Sequence, residues 1–169
     1  MTDRASAFVQ QYLKDGVWHS TSLDRYESIR KSGWLKAHPE LPDELRWKTK
    51  FGADNYPFVR HIGGISVFDF KDFDAAQYEN QRPMSSWREF VPGREAWPEA
   101  VWIRIDIQQL TIPYIPPDEL LTRWKNEDAY RHALMPDIEG AILGDVKASL
   151  FEHLLGVNTL TGETFSVAK

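Results

Sequence analysis

Two residues combine reactive chemistry with an awkward position. Glu139 lies in the apolar run IEGAIL, residues 138–143. Side chains alternate across a strand, so Glu139 shares a face with Ala141 and Leu143, against Ile138, Gly140 and Ile142. Neither face is polar. A carboxylate there is costly to desolvate unless it is hydrogen-bonded or paired, and desolvation tunes a carboxyl pKa toward catalytic use. The competing reading is a strand-end Glu with its head in water. His19 stands in VWHST, residues 17–21, crowded by the hydroxyls of Ser20, Thr21 and Ser22. It is either a satisfied core histidine or a hydrogen-bond donor to a ligand, oriented by those hydroxyls.

Other chemistries find less support. The chain has no cysteine, which excludes disulfides and thiolate metal sites. His19, His38, His61, His132 and His153 show no paired i, i+4 spacing, so no metal is expected. There is no Gly-x-x-x-x-Gly-Lys phosphate loop, no Gly-x-Gly-x-x-Gly and no Gly-x-Ser-x-Gly. Arg and Trp do interleave, at Trp87-Arg88, Arg94 to Trp97, Trp102 to Arg104 and Arg123-Trp124. Stacking rings beside guanidinium groups suit single-stranded nucleic acid or a nucleobase; buried Trp beside solvated Arg is the plainer alternative.

The elements that must position these residues follow from pattern and punctuation. Residues 5–14 predict a short amphipathic helix stopped by Gly16, and residues 17–21 a strand. Ser22 is a good N-cap for a helix that Gly33 ends. Residues 34–37 read as extended. Residues 38–57 are irregular and rich in Pro and charge, which suggests a loop able to cover a site. Strands are expected at 62–70, 100–107 and 138–143, an extended piece at 110–115 and a helix at 117–131. Residues 149–155 read as a short helix or turn, and 158–167 as a final hairpin arm. Mixed elements without strict βαβ alternation predict an α+β fold.

At 169 residues the chain reads as one domain, residues 1–169, with room for a substantial core. Its 13% aromatic content, seven Trp included, means an unusually aromatic core or rings lining a groove. The net charge of −5 argues against a general coat for duplex nucleic acid and leaves room for a local basic groove. No apolar run spans a membrane and the N-terminus has no apolar signal-peptide core, so a cytoplasmic protein is expected.

Three pieces, in order, carry a family resemblance: His19-Ser-Thr-Ser followed by a helix with Ile29 and the stop SGWL; the strand IGGISVFDF; and the Glu139 strand in PDIEGAILGDVKAS. Together they resemble the ADP-ribosyltransferase fold, in particular DarT-like nucleic-acid ADP-ribosyltransferase toxins and, more distantly, RNA 2′-phosphotransferases. The resemblance spans roughly residues 17–155. It implies two small packed, mostly antiparallel sheets with peripheral helices, and a cleft for NAD as co-substrate without a metal. It implies that His19 binds the nicotinamide-side ribose, framed by Ser20 and Thr21. Tyr26 or a nearby ring would stack on nicotinamide or adenine, Ser66 and Phe68 would line the nicotinamide pocket, and Arg60 would contact the NAD phosphates. Glu139 would be the catalytic carboxylate. The activity implied is mono-ADP-ribosyl transfer to single-stranded nucleic acid or protein, in a toxin with an antitoxin or immunity partner. An NAD glycohydrolase and an inactive binding module are the alternatives. The sequence departs from the family in lacking the full Arg-His-Arg-Arg set of the phosphotransferases and a middle-strand Tyr, where Phe68 stands nearest.

Overall fold

The computed structural model describes residues 3–169; Met1 and Thr2, the start of the stretch read for a signal peptide, lie outside the described residues. Helix α1 (Arg4–Phe8) is capped by Asp3, whose carboxylate accepts from Ser6 N, and continues as one wider π-turn over Val9–Leu13. Strand β1 (Val17–Ser22) runs into α2 (Leu23–Ser32). Ser22 Oγ accepts from Arg25 N, the expected N-cap, and Gly33 closes the helix at φ 76°. That left-handed turn is cheap only for glycine.

The short strand β2 (Trp34–Leu35) precedes the irregular segment, which holds two 3-10 turns, Asp43–Leu45 and Ala53–Asn55. Then come α3 (Phe58–His61), β3 (Ile65–Asp69), α4 (Ala75–Gln81) and β4 (Glu99–Ile105). The C-terminal third supplies β5 (Tyr114–Ile115), α5 (Pro117–Asn126), β6 (Glu139–Ile142), β7 (Val146–Lys147), β8 (Phe151–Asn158) and β9 (Thr164–Phe165).

The architecture is α+β. A seven-stranded sheet runs β5-β6-β3-β1-β4-β8-β9, and β2 pairs with β7 in a second sheet of two strands. Every pairing is antiparallel. The two sheets are therefore very unequal. The reading of 149–155 as helix or turn fails for most of its length. Phe151, Leu154 and Val157 mimic helical spacing, yet the segment is extended and pairs with β4 from Glu99↔Asn158 to Ile105↔Phe151. Tertiary pairing overrides local pattern here. The hairpin arm is present, as β9 pairs with β8.

One face of the sheet packs an aromatic core of Phe8, Trp18, Phe68, Phe70, Trp87 and Trp102. The other packs aliphatic residues of the sheet, such as Val67, Ile103 and Ile142, against Tyr26 and Ile29 of α2. Three of the seven tryptophans are thus core, while Trp34 is exposed and the other three are partly buried. Trp18, Trp87 and Trp102 are fully buried, and Trp124 Nε1 donates to His132 O. The plainer reading holds for those Trp–Arg pairs. Among the described residues no helix is long and apolar enough to cross a membrane.

Candidate functional site

The centre of the large sheet is nearly split. β1 pairs with β3 only at Val17↔Asp69 and Trp18↔Phe68, while it pairs with β4 along its whole length. Past Trp18 the two strands diverge. Ser66 O, which continued pairing would occupy with a backbone donor, is met by the His19 ring instead, with Nδ1 at 2.8 Å. A carbonyl can only accept, so Nδ1 carries the proton. Burial, with a smaller push from the Arg25 charge, lowers the His19 pKa to about 4 against the pull of the Ser66 bond. The ring is densely packed yet only half-buried, so water in the cleft moderates that depression. At neutral pH His19 is the neutral imidazole with a free Nε2 lone pair.

On the other side of β3, Glu139 opens β6 opposite Phe68. It is 4% exposed. Ser66 Oγ donates to Oε1 at 2.7 Å and Met135 N donates to Oε2 at 2.8 Å. Burial raises its pKa to about 7, opposed by those two bonds. Such a carboxyl titrates at working pH and can take or give a proton. Gly140 makes room for this arrangement. A Cβ there would stand 2.8 Å from Ile115 O, so only glycine lets the edge strand β5 close on β6.

His19 and Glu139 line a single cleft, open to solvent, with Ser66 between them. Ser20, Arg60 and Phe68 line it too. Thr21 and Tyr26 do not. Thr21 is 1% exposed, inside the sheet opposite Val101. The Tyr26 ring is buried in the aliphatic core and its hydroxyl donates to Ala168 O at 2.7 Å. Tyr26 sits at helical spacing from Ile29, on the face that packs inward, so no ring-stacking role is open to it.

Arg25, Arg46 and Trp47 are cleft residues with no signal in the sequence, whereas Arg94 and Trp97 belong to one of the expected Arg–Trp clusters. Arg25 and Arg46 come from α2 and the irregular segment, Trp47 from that same segment, and Arg94 and Trp97 from the stretch before β4. The irregular segment does border the cleft. It is pinned by Asp43, which accepts from Arg60 at 2.8 Å and from Tyr56 Oη at 2.6 Å, while the Arg60 guanidinium lies 3.7 Å over the Tyr56 ring. Trp47 Nε1 donates to Glu89 Oε2 at 2.9 Å and its ring meets Phe90 edge-on. Arg60 is therefore largely engaged by Asp43 and Tyr56. Among the described residues no group of three or more His, Asp or Glu could hold a metal ion.

Comparison with protein-family models, with curated proteins and with solved structures finds no match to this chain.

Proposed function

We propose that this chain is a mono-ADP-ribosyltransferase, of the ADP-ribosyltransferase fold, that uses NAD to modify a macromolecule, with DNA or RNA favoured over protein. The observation that carries this reading is the linkage of a neutral His19 and a buried Glu139 through the two sides of Ser66, on the wall of one cleft. The residues suit NAD. With its one N–H spent on Ser66 O, His19 offers a ligand an acceptor rather than the donor expected from the sequence, and its free Nε2 can accept from a ribose hydroxyl. The cleft has aromatic walls for flat rings and guanidinium groups for a diphosphate.

NAD supplies a ribose whose bond to a cationic pyridinium is ready to break. As that bond breaks, its electron pair goes to the nicotinamide nitrogen and positive charge builds on the ribose. A carboxylate held in a dry wall by two fixed donors stabilises that charge without reorganising. Glu139 then accepts the proton released as the acceptor's nucleophilic atom bonds the ribose carbon. Its pKa near 7 lets it return that proton to water. Ser66 fixes the carboxylate and the imidazole in one frame.

The test is incubation with NAD labelled in the adenine, in separate pools of DNA, RNA and protein, with free nicotinamide measured alongside. Label transfer to a polymer, abolished by Glu139→Gln, supports transfer. Nicotinamide release without transfer means a glycohydrolase, with water as acceptor. No release under any condition sinks the enzymatic reading.

A further inference from the structure

The arginines of this acidic protein are mostly matched. Arg30, Arg60, Arg82, Arg88, Arg104 and Arg123 each face a carboxylate. Arg4 donates to the Leu160 carbonyl, and Arg131 is exposed. Arg25, Arg46 and Arg94 differ. All three are only partly exposed, and all three line the cleft. Among the described residues none has a carboxylate within 4.0 Å or an acceptor for its guanidinium. Arg94 lies over the Trp97 ring at 5.2 Å, and the nearest acid it feels, Glu89, is already engaged by Trp47.

Such an arrangement is costly unless an anion compensates it. Burial, then repulsion from Arg46 and Arg94, pulls the Arg25 guanidinium down to about 10. Burial and the Arg60 charge lower Arg46 as well. Lys36 adds a fourth unmatched cation to the lining, whose one carboxylate is Glu139. In a chain of net charge −5, clustering these cations makes sense if the occupant brings the counter-charge. The diphosphate of NAD brings two negative charges. Three guanidinium groups and Lys36 exceed that.

We propose that Arg25, Arg46 and Arg94 form an anion site for three phosphate groups, one more than the diphosphate of NAD supplies. The third phosphate arrives either on the dinucleotide itself or on the acceptor strand. This rests on reading the cleft as a nucleotide site, but its chemistry is charge matching and needs no catalysis.

The experiment titrates orthophosphate, pyrophosphate and tripolyphosphate into the full chain by calorimetry at fixed ionic strength. Affinity is expected to climb at each step, and Arg25→Gln, Arg46→Gln or Arg94→Gln to weaken tripolyphosphate by about tenfold or more. Arg131→Gln is expected to leave it unchanged. Without ligand, each cleft variant is expected to melt no lower than the parent, because it removes repulsion. Equal affinity for all three anions, or an equal loss in Arg131→Gln, overturns the proposal. So does a cleft variant set that melts lower and still binds tripolyphosphate like the parent. Two further arms locate the third phosphate: NADP against NAD, and a short single-stranded oligonucleotide titrated into NAD-saturated protein. Tripolyphosphate binding without nicotinamide release from either dinucleotide keeps the anion site and removes the transferase reading. Nicotinamide release without tripolyphosphate preference does the reverse.

Discussion

The hydroxyl of Ser66 donates to Glu139 at 2.7 Å while the carbonyl of the same residue accepts from the His19 ring at 2.8 Å. One residue of β3 thus holds a group from each flanking strand, where the sheet comes apart. Ser66→Ala separates the two functions, because it removes the hydroxyl and keeps the carbonyl. Glu139 loses one of the two bonds that favour its ionised form, so its pKa rises above about 7. The activity limb governed by Glu139 is expected to move to higher pH, with kcat lower by about tenfold at neutral pH. A pH–rate profile of the variant checks this. A profile that keeps the wild-type limb would show that the hydroxyl does not tune the carboxyl.

Glu139→Gln is nearly isosteric. Its amide oxygen can accept from Met135 N, and its NH2 can donate to Ser66 Oγ, which then acts as acceptor. The fold is therefore retained while the negative charge is lost. Nicotinamide release is expected to fall by about 10²–10³-fold, the scale of removing one preorganised electrostatic group. Release at the wild-type rate would dismiss Glu139 as the catalytic carboxylate.

Stability should depend on pH in a way set by two opposed groups. Glu139 has a folded pKa of about 7, above the usual 4.5. Between those values the native state holds the extra proton, so stability falls as pH rises. His19 has a folded pKa of about 4, below the usual 6.5. Between those values the unfolded state holds the extra proton, so stability rises with pH. The contributions nearly cancel from about pH 4.5 to 6.5. Glu139→Gln leaves the His19 slope uncovered, and its stability is expected to rise from pH 4 to 6.5 by roughly 1–2 kcal/mol, less than the full shift would give because the ring is only half-buried. At pH 8 the variant is expected to be more stable than the parent, which must bury a charge. Urea melts of both proteins across this range give the answer, and parallel curves would contradict these assignments.

His19 was legible as a histidine among hydroxyls, and Glu139 as a charge inside an apolar strand, because both are local anomalies. Their meeting was not legible from periodicity. It depends on β1, β3 and β6 lying side by side and on where β1–β3 pairing stops, both non-local facts. The α+β class and most central strands followed from alternation and glycine punctuation. Strand β8 did not, since apolar residues three apart fit a helix as well as a strand edge. The resemblance puts Tyr26 in the cleft for its ring, although its spacing to Ile29 points to the core. In sequence Arg25 and Arg46 look like ordinary surface arginines, and Arg94 stands out only as part of an Arg–Trp cluster. Only the fold reveals that three separate segments bring them together with no carboxylate paired to any of them.

The segment from residue 38 to 57 borders the cleft, and one of its tethers is Asp43, which takes hydrogen bonds from both Tyr56 and Arg60. Asp43→Ala removes the acceptor for both at once. Trp47 stays attached to Glu89, but the turn between Asp43 and Tyr56 loses its closure. Arg46, Lys48 and Lys50 lie within that turn, so trypsin reports its opening directly. Cleavage there is expected to speed up several-fold, and saturating tripolyphosphate to slow it again by engaging Arg46. In the enzymatic assay the same variant is expected to raise the KM for NAD with little change in kcat, because Asp43 touches neither His19 nor Glu139. An unchanged cleavage rate would mean that the segment is held by its other contacts. A fall in kcat at constant KM would place Asp43 in the chemistry rather than in the closure of the cleft wall.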